Sequence, residues 1–284
     1  MRESKREAVT GLGICGFHTI SYQLWQPEGP AKGHIICAHG LTRNSHDFDP
    51  LAQRLSETYT VACPDMVGRG QSSWLPIAEP YDYPQYLSDM NALTAHLHAT
   101  TLDWIGTSMG GLIGMMFAAM PNSPIRRLII NDVGPLIKKE ALDRIAAYTG
   151  VAPSFQNLDE VENYLRKVHA PFHPMTDENW KSMALRGSKQ GEDGQFRLTY
   201  DPKIGDALRQ SLTGADIDLW HIYDAITCPV LLIRGVNSDL LDSETAQEMT
   251  KRGPKAELIE IEEAGHAPSL MSEDQFSLIN EWLK

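Results

Sequence analysis

The run Gly106-Thr107-Ser108-Met109-Gly110 constrains this chain more than any other stretch. A β-branched, apolar segment, Thr101-Leu102-Asp103-Trp104-Ile105, precedes it, and an apolar segment rich in small residues, Gly111 to Met120, follows it. The order is strand, tight turn, helix. That order places a serine at a sharp, strained corner with its hydroxyl projecting outward, and only small neighbours fit, hence glycine two before and two after. A plainer reading makes Ser108 a helix N-cap, since serine is a favoured cap. The pentapeptide alone suits both readings. A histidine, an acid and a pair of oxyanion donors at matching places decide between them.

Strand and helix alternate along the chain. Phe17 to Trp25, Gly33 to Ala38, Tyr59 to Cys63, Arg127 to Asp132, Pro229 to Arg234 and Leu258 to Ile261 read as strands, while Phe48 to Ser56 and Tyr83 to Ala99 read as helices. Buried runs separated by helices imply a mostly parallel sheet covered on both faces. One interval breaks the rhythm. Between Asp132 and Pro229 no clear strand appears; Leu136 to Thr149, Leu158 to Val168 and Thr176 to Arg186 have helical patterns, and the polar Gly187 to Gly194 reads as a loop or hairpin. A helical insertion over the C-terminal edge of the sheet makes a lid.

Composition narrows the partners. The formal charge is −12, from 25 Lys+Arg against 37 Asp+Glu, which argues against nucleic acid or an anionic membrane surface. Met1 to Glu7 is charged with no apolar stretch behind it, unlike a signal peptide. Gly110 to Met120 falls short of the ~20 apolar residues that span a bilayer. Cys15, Cys37, Cys63 and Cys228 are scattered and lack C-x-x-C spacing, as expected of free thiols in a reducing cytoplasm. His169 and His173 are four apart, but Pro171 and Pro174 disrupt a helical metal pair, so no metal is expected.

Ser108 needs a base. His266, in Ala264-Gly265-His266-Ala267-Pro268, follows the last strand and precedes the last helix, where a loop at the C-terminal sheet edge points toward the corner serine. The base needs an acid to fix its tautomer. Asp239, after the penultimate strand, gives the chain order Ser108, Asp239, His266; Asp132 is the second candidate and Asp242 the third. The developing oxyanion needs two N–H donors. Met109 supplies one, and Leu41, in Ala38-His39-Gly40-Leu41-Thr42-Arg43, the other; His39 reads as a brace for that loop.

With these residues in place the chain resembles bacterial α/β-hydrolases, the fold family of carboxylesterases, enol-lactonases and meta-cleavage product hydrolases. The resemblance rests on His39-Gly40-Leu41, Asp65-Met66-Val67-Gly68-Arg69-Gly70-Gln71-Ser72, the corner at Ser108 and Gly265-His266. It implies an α/β fold with a mostly parallel sheet of about eight strands and a helical cap after the sixth. The core would take residues 1–134 and 216–284, and the cap residues 135–215. In this family the loop matching Asp65 to Ser72 is architectural. A serine rather than an aspartate at the corner sets the chain apart from haloalkane dehalogenases and epoxide hydrolases. The expected activity is hydrolysis of small to medium carboxylic esters through an acyl-enzyme, without metal or cofactor, in the cytoplasm. Lactonase or C–C bond hydrolase activity, with Arg43 or Arg69 recognising a dienoate, is the alternative on the same residues, and a non-catalytic small-molecule receptor is the alternative of another class. Arg43, Trp220 and Tyr223 are the candidate substrate contacts.

Overall fold

A computed structural model describes residues 3–169 and 175–284. His173, Pro171 and Pro174 fall outside the described residues. The main sheet has eight strands: β1 (Lys5–Gly13), β2 (Gly16–Trp25), β3 (His34–Ala38), β4 (Thr60–Pro64), β5 (Leu102–Thr107), β6 (Ile125–Asn131), β7 (Val230–Gly235) and β8 (Glu257–Ile261). Their order is β1-β2-β4-β3-β5-β6-β7-β8. β1 and β2 form an antiparallel hairpin, β2 runs antiparallel to β4, and all later pairings are parallel.

The inner strands are apolar at successive positions because both faces are covered. In β3, Ile36 and Ala38 join one core layer with Trp104, Leu128 and Leu232. Ile35 and Cys37 point the other way and join Ile105, Ile129 and Ile233. β1 escapes the sequence reading for the opposite reason. It is an edge strand whose charged, half-exposed residues do not form a buried run.

The helices that matter for the site follow from local sequence. α1 (Asp49–Leu55) starts with proline in its first turn. α2 (Tyr83–His96) is capped by Asp82, whose carboxylate accepts the Gln85 N–H. α3 (Met109–Ala119) follows Ser108 directly.

After Asn131 the chain leaves the sheet, and it returns at Val230. The interval holds α4 (Lys139–Tyr148), α5 (Leu158–Val168), α6 (Asp177–Gly187), α7 (Lys203–Ser211) and the short α8 (Trp220–Tyr223). Asn157 and Thr176 cap α5 and α6, accepting N–H groups three residues on. The loop or hairpin expected over Gly187 to Gly194 is a hairpin, Ser188–Gln190 with Phe196–Leu198, joined by Ser154–Phe155; Leu136–Ile137 also pairs with Ile217–Asp218, where no clear strand is expected. The helix expected from Leu136 therefore begins at Lys139. These strands are two or three residues long, below the length at which alternation can be read. The insertion has its own small core of Phe155, Val161, Leu165, Trp180, Met183 and Ala184. Among the described residues no helix is long and apolar enough to cross a membrane.

Candidate active site

Three loops leave the C-terminal ends of the parallel strands and converge. The loop after β5 carries Ser108 at φ 52° and ψ −115°. A non-glycine residue in that region costs roughly 1–3 kcal/mol and persists only where its surroundings enforce it. Here the Ser108 N–H donates to the Asn131 carbonyl at 2.9 Å, and the Trp104 indole N–H donates to the Gly110 carbonyl at 2.9 Å. A Cβ on Gly106 would lie 2.2 Å from the Gly110 oxygen, and one on Gly110 would lie 2.0 Å from the Ala38 oxygen. Both glycines are thus required by close backbone approach, as the sequence pattern implies.

The loop after β8 brings His266 to Ser108. His266 Nε2 lies 2.9 Å from Ser108 Oγ, and its Nδ1 lies 2.8 Å from Asp132 Oδ2. An ionised carboxylate only accepts, so Nδ1 carries the proton and Nε2 is left to accept from the Ser108 hydroxyl. The Asn131 side-chain amide donates to the Pro268 carbonyl at 2.9 Å, tying the histidine loop to the end of β6.

The expectation that Asp239 partners His266 is corrected: the partner is Asp132. Asp132 directly follows β6, is fully buried, and has φ 57°. Its Oδ1 accepts the Gly235 N–H at 2.8 Å, and its Oδ2 accepts the Ser238 hydroxyl at 2.6 Å as well as His266. Asp239 instead faces outward, 43% exposed, and pairs with Arg144 of α4 at 2.6 Å. Asp242 caps the helix Ser243–Met249, accepting the Thr245 N–H at 2.6 Å. The penultimate-strand loop still serves the site, but through Gly235 and Ser238 rather than through an acid. A signal for Asp132 is present in the sequence: a charged residue two positions after the apolar run Leu128-Ile129-Ile130, at the end of the strand.

The loop after β3 packs against the corner serine. A Cβ on Gly40 would lie 3.9 Å from Ser108 Cβ. His39 is fully buried; its Nδ1 donates to the Gly40 carbonyl at 2.7 Å and its Nε2 accepts the Met66 N–H at 3.0 Å. Burial pushes its pKa down to about 4, so it is a neutral brace. Arg69, also fully buried, donates to the Leu41 carbonyl at 2.8 Å and to Met109 Sδ at 3.4 Å, and its guanidinium lies over the Tyr86 ring. Arg69 therefore fixes the two residues expected to supply oxyanion donors and is not open to a ligand. Met109 is the first residue of α3, where N–H groups have no intrahelical acceptor. Asp65 accepts the Ser45 and Gln71 N–H groups and pairs with Arg6 at 2.9 Å, an architectural role.

Between these loops and the insertion lies a pocket of about 830 Å³, measured out to its open mouth. His39 to Arg43, Asp47, Phe48, Ser108 and His266 to Ser269 line the core side; Arg144, Ile145, Tyr148, Val168, His169, Met175 and Met183 line the insertion side. Arg43 is in the lining, nearly buried, with Asp47 bound by two hydrogen bonds of 2.9 and 2.6 Å. Trp220 and Tyr223 are not. The Tyr223 hydroxyl donates to the Met249 carbonyl at 2.6 Å, the Trp220 ring lies edge-on to it, and α8 packs against α3. Their aromatic character serves the core. Arg144 and His169, not named individually among the candidate contacts, are in the lining. Burial, then the charges of Arg43, His266 and Arg144, hold the His169 pKa well below the usual histidine value. Among the described residues no group of three or more His, Cys, Asp or Glu is placed to hold a metal.

Comparison with known proteins supports the fold. The model of the alpha/beta hydrolase family matches residues 35–277. The chain is 42% identical to 3-hydroxybutyrate-oligomer hydrolase of Cupriavidus necator, over 95% of this chain and 94% of that protein. It is 26% identical to a pimeloyl-[acyl-carrier protein] methyl ester esterase of Neisseria meningitidis, over 89% of this chain and 93% of that one. The crystal structure of an alpha/beta hydrolase from Novosphingobium aromaticivorans superposes with a TM-score of 0.89 at 33% identity, covering 100% of this chain and 99% of that chain.

Proposed function

Since the chain belongs to the alpha/beta hydrolase family and is a carboxylic ester hydrolase, we propose that it works through a Ser108 acyl-enzyme on linear oligoesters of a short 3-hydroxy acid. The continuous hydrogen-bonded line from Ser108 Oγ through His266 to Asp132, at 2.9 and 2.8 Å, carries the mechanistic reading. His266 Nε2 takes the hydroxyl proton as Ser108 attacks the ester carbonyl. Asp132, held by Gly235 and Ser238, keeps the ring in the accepting tautomer and stabilises the imidazolium. The N–H groups of Leu41 and Met109 receive the oxyanion, and the shared brace from Arg69 sets their positions in advance. His266 then protonates the leaving alkoxide, and water, deprotonated by the same nitrogen, releases the acid. The substrate class rests on the relative of 42% identity named for 3-hydroxybutyrate oligomers. A pocket lined by Ile145, Val168, Met175 and Met183 suits methyl-bearing acyl units.

Mass spectrometry after treatment with a fluorophosphonate tests the nucleophile, and turnover of the 3-hydroxybutyrate dimer and trimer against p-nitrophenyl butyrate tests the substrate class. The expected result is one adduct, on Ser108, and cleavage of both oligomers. An unlabelled Ser108 overturns the mechanism. Labelling with turnover of p-nitrophenyl butyrate alone overturns the oligoester assignment.

A further inference from the structure

The pocket is basic within an acidic protein. The whole chain carries 37 acids against 25 Lys and Arg. The lining contains two arginines, Arg43 and Arg144, but a single carboxylate, Asp47; of its three histidines, burial keeps His39 and His169 neutral. The two arginines each meet a carboxylate through two nitrogens but differ in exposure. Arg43 is 7% exposed and grips Asp47 with two parallel hydrogen bonds. That pair is shielded and geometrically complete, so exchanging its carboxylate is costly. Arg144 stands on α4 at the insertion side and reaches out of the lining to Asp239, meeting it through Nε at 2.6 Å and Nη2 at 2.9 Å, but with side-chain exposures of 36% and 43%. An ion pair that wet contributes little, and its carboxylate is replaceable. His169, held neutral beside Arg43, Arg144 and His266, adds no positive charge, so the arginines are the cations a substrate carboxylate meets on this side.

We propose that Arg144 is the specificity residue for a carboxylate on the substrate, and that Asp239 holds its guanidinium when no substrate is bound. The inference rests on ester hydrolysis at Ser108 and names which esters are preferred: those with a free carboxylate. A linear oligomer of a hydroxy acid has one such group at its end. On binding, this carboxylate replaces Asp239 on Arg144, which leaves Asp239 free to water. Asp239 thus acts on the site through Arg144, without touching the reacting atoms.

The test compares charged and neutral esters of one shape in the full-length protein. The pairs are 3-hydroxybutyrate trimer against its methyl ester, and mono-p-nitrophenyl succinate against p-nitrophenyl butyrate. The readout is the ratio of kcat/KM, charged over neutral, so that a general loss of activity cancels. A charged hydrogen bond of typical strength predicts that Arg144→Gln lowers this ratio by about 10- to 100-fold, mostly through KM, and that Arg144→Lys restores part of it. A ratio within about threefold of wild type in Arg144→Gln, with folding verified by circular dichroism, overturns the role of Arg144. If wild type cleaves neither trimer but the succinate-to-butyrate ratio still falls in Arg144→Gln, the oligoester assignment fails and the Arg144 inference stands.

Discussion

The loop leaving β6 and the loop leaving β7 each offer an aspartate near one end of the sheet, and the two have opposite fates. Asp132 comes immediately after β6, fully buried, its carboxylate met by a backbone N–H, a hydroxyl and an imidazole. Asp239 comes four residues beyond β7, exposed, and meets an arginine in water. Distance from the strand end makes the difference. A residue adjoining the strand inherits its fixed direction and dry surroundings, whereas one farther along a turn is free to face solvent. Chain order alone does not separate the two loops, because both lie between the nucleophile and the histidine.

Replacing each acid by its amide breaks or upholds this contrast most directly. Asp132→Asn reverses the hydrogen bond at Nδ1 and favours the wrong tautomer, so kcat on p-nitrophenyl butyrate should fall by about 10³–10⁴. Asp239→Asn should cost less than about threefold on the same neutral ester. Steady-state kinetics on both variants decides. The reverse order of damage would return the triad to the β7 loop.

Acid titration probes the buried side of the contrast at the β3 loop. Because burial lowers the His39 pKa to about 4, folding excludes its proton. The stability due to neutral His39 is complete above its unfolded value of about 6.5 and is lost as pH falls toward 4, amounting to about 3 kcal/mol by then. Urea unfolding of wild type and His39→Gln at pH 7 and pH 4.5 measures it. The wild type should lose more stability across that interval than the variant. Parallel losses would assign the acid sensitivity to the carboxylates instead.

What the sequence discloses divides along the same line. The inner strands, Ser108 and His266 are legible because each follows from a short pattern with one geometric solution: an apolar run, glycines at close approach, or a loop after a strand. Asp132 is also at such a place, but chain order, which favours Asp239, ignores burial. Trp220 and Tyr223 mislead for another reason: aromatic side chains fill core and pocket equally well, and only the path of the insertion tells them apart. Arg144 is invisible because α4 reaches the pocket through tertiary contacts between the insertion and the core.

Ser238 tests whether the acid's own supports matter. Its hydroxyl donates to Asp132 Oδ2 at 2.6 Å and accepts the Leu241 N–H at 3.1 Å. Ser238→Ala removes one of three donors to a buried carboxylate, an effect of about 1–1.5 kcal/mol, so kcat should fall roughly tenfold. Cysteine at this position should recover only part, since a thiol donates weakly. An unchanged kcat with unchanged stability would mean that the Gly235 N–H and His266 suffice to hold the acid.

The smallest effect belongs to the exposed pair. Arg144 and Asp239 join α4 of the insertion to the β7 loop of the core, so their contact resembles a latch. Exposure argues otherwise. Water competes for both side chains, and such pairs are worth about 0–1 kcal/mol. Asp239→Asn should therefore shift the urea midpoint by an amount near the limit of measurement, whereas Asp132→Asn, which leaves an amide where a buried carboxylate accepted three hydrogen bonds, should lower it clearly. A loss above about 2 kcal/mol in Asp239→Asn would show that the pair fastens the insertion to the core. In that event, replacement of Asp239 by a substrate carboxylate would loosen the lid as well as fill the pocket.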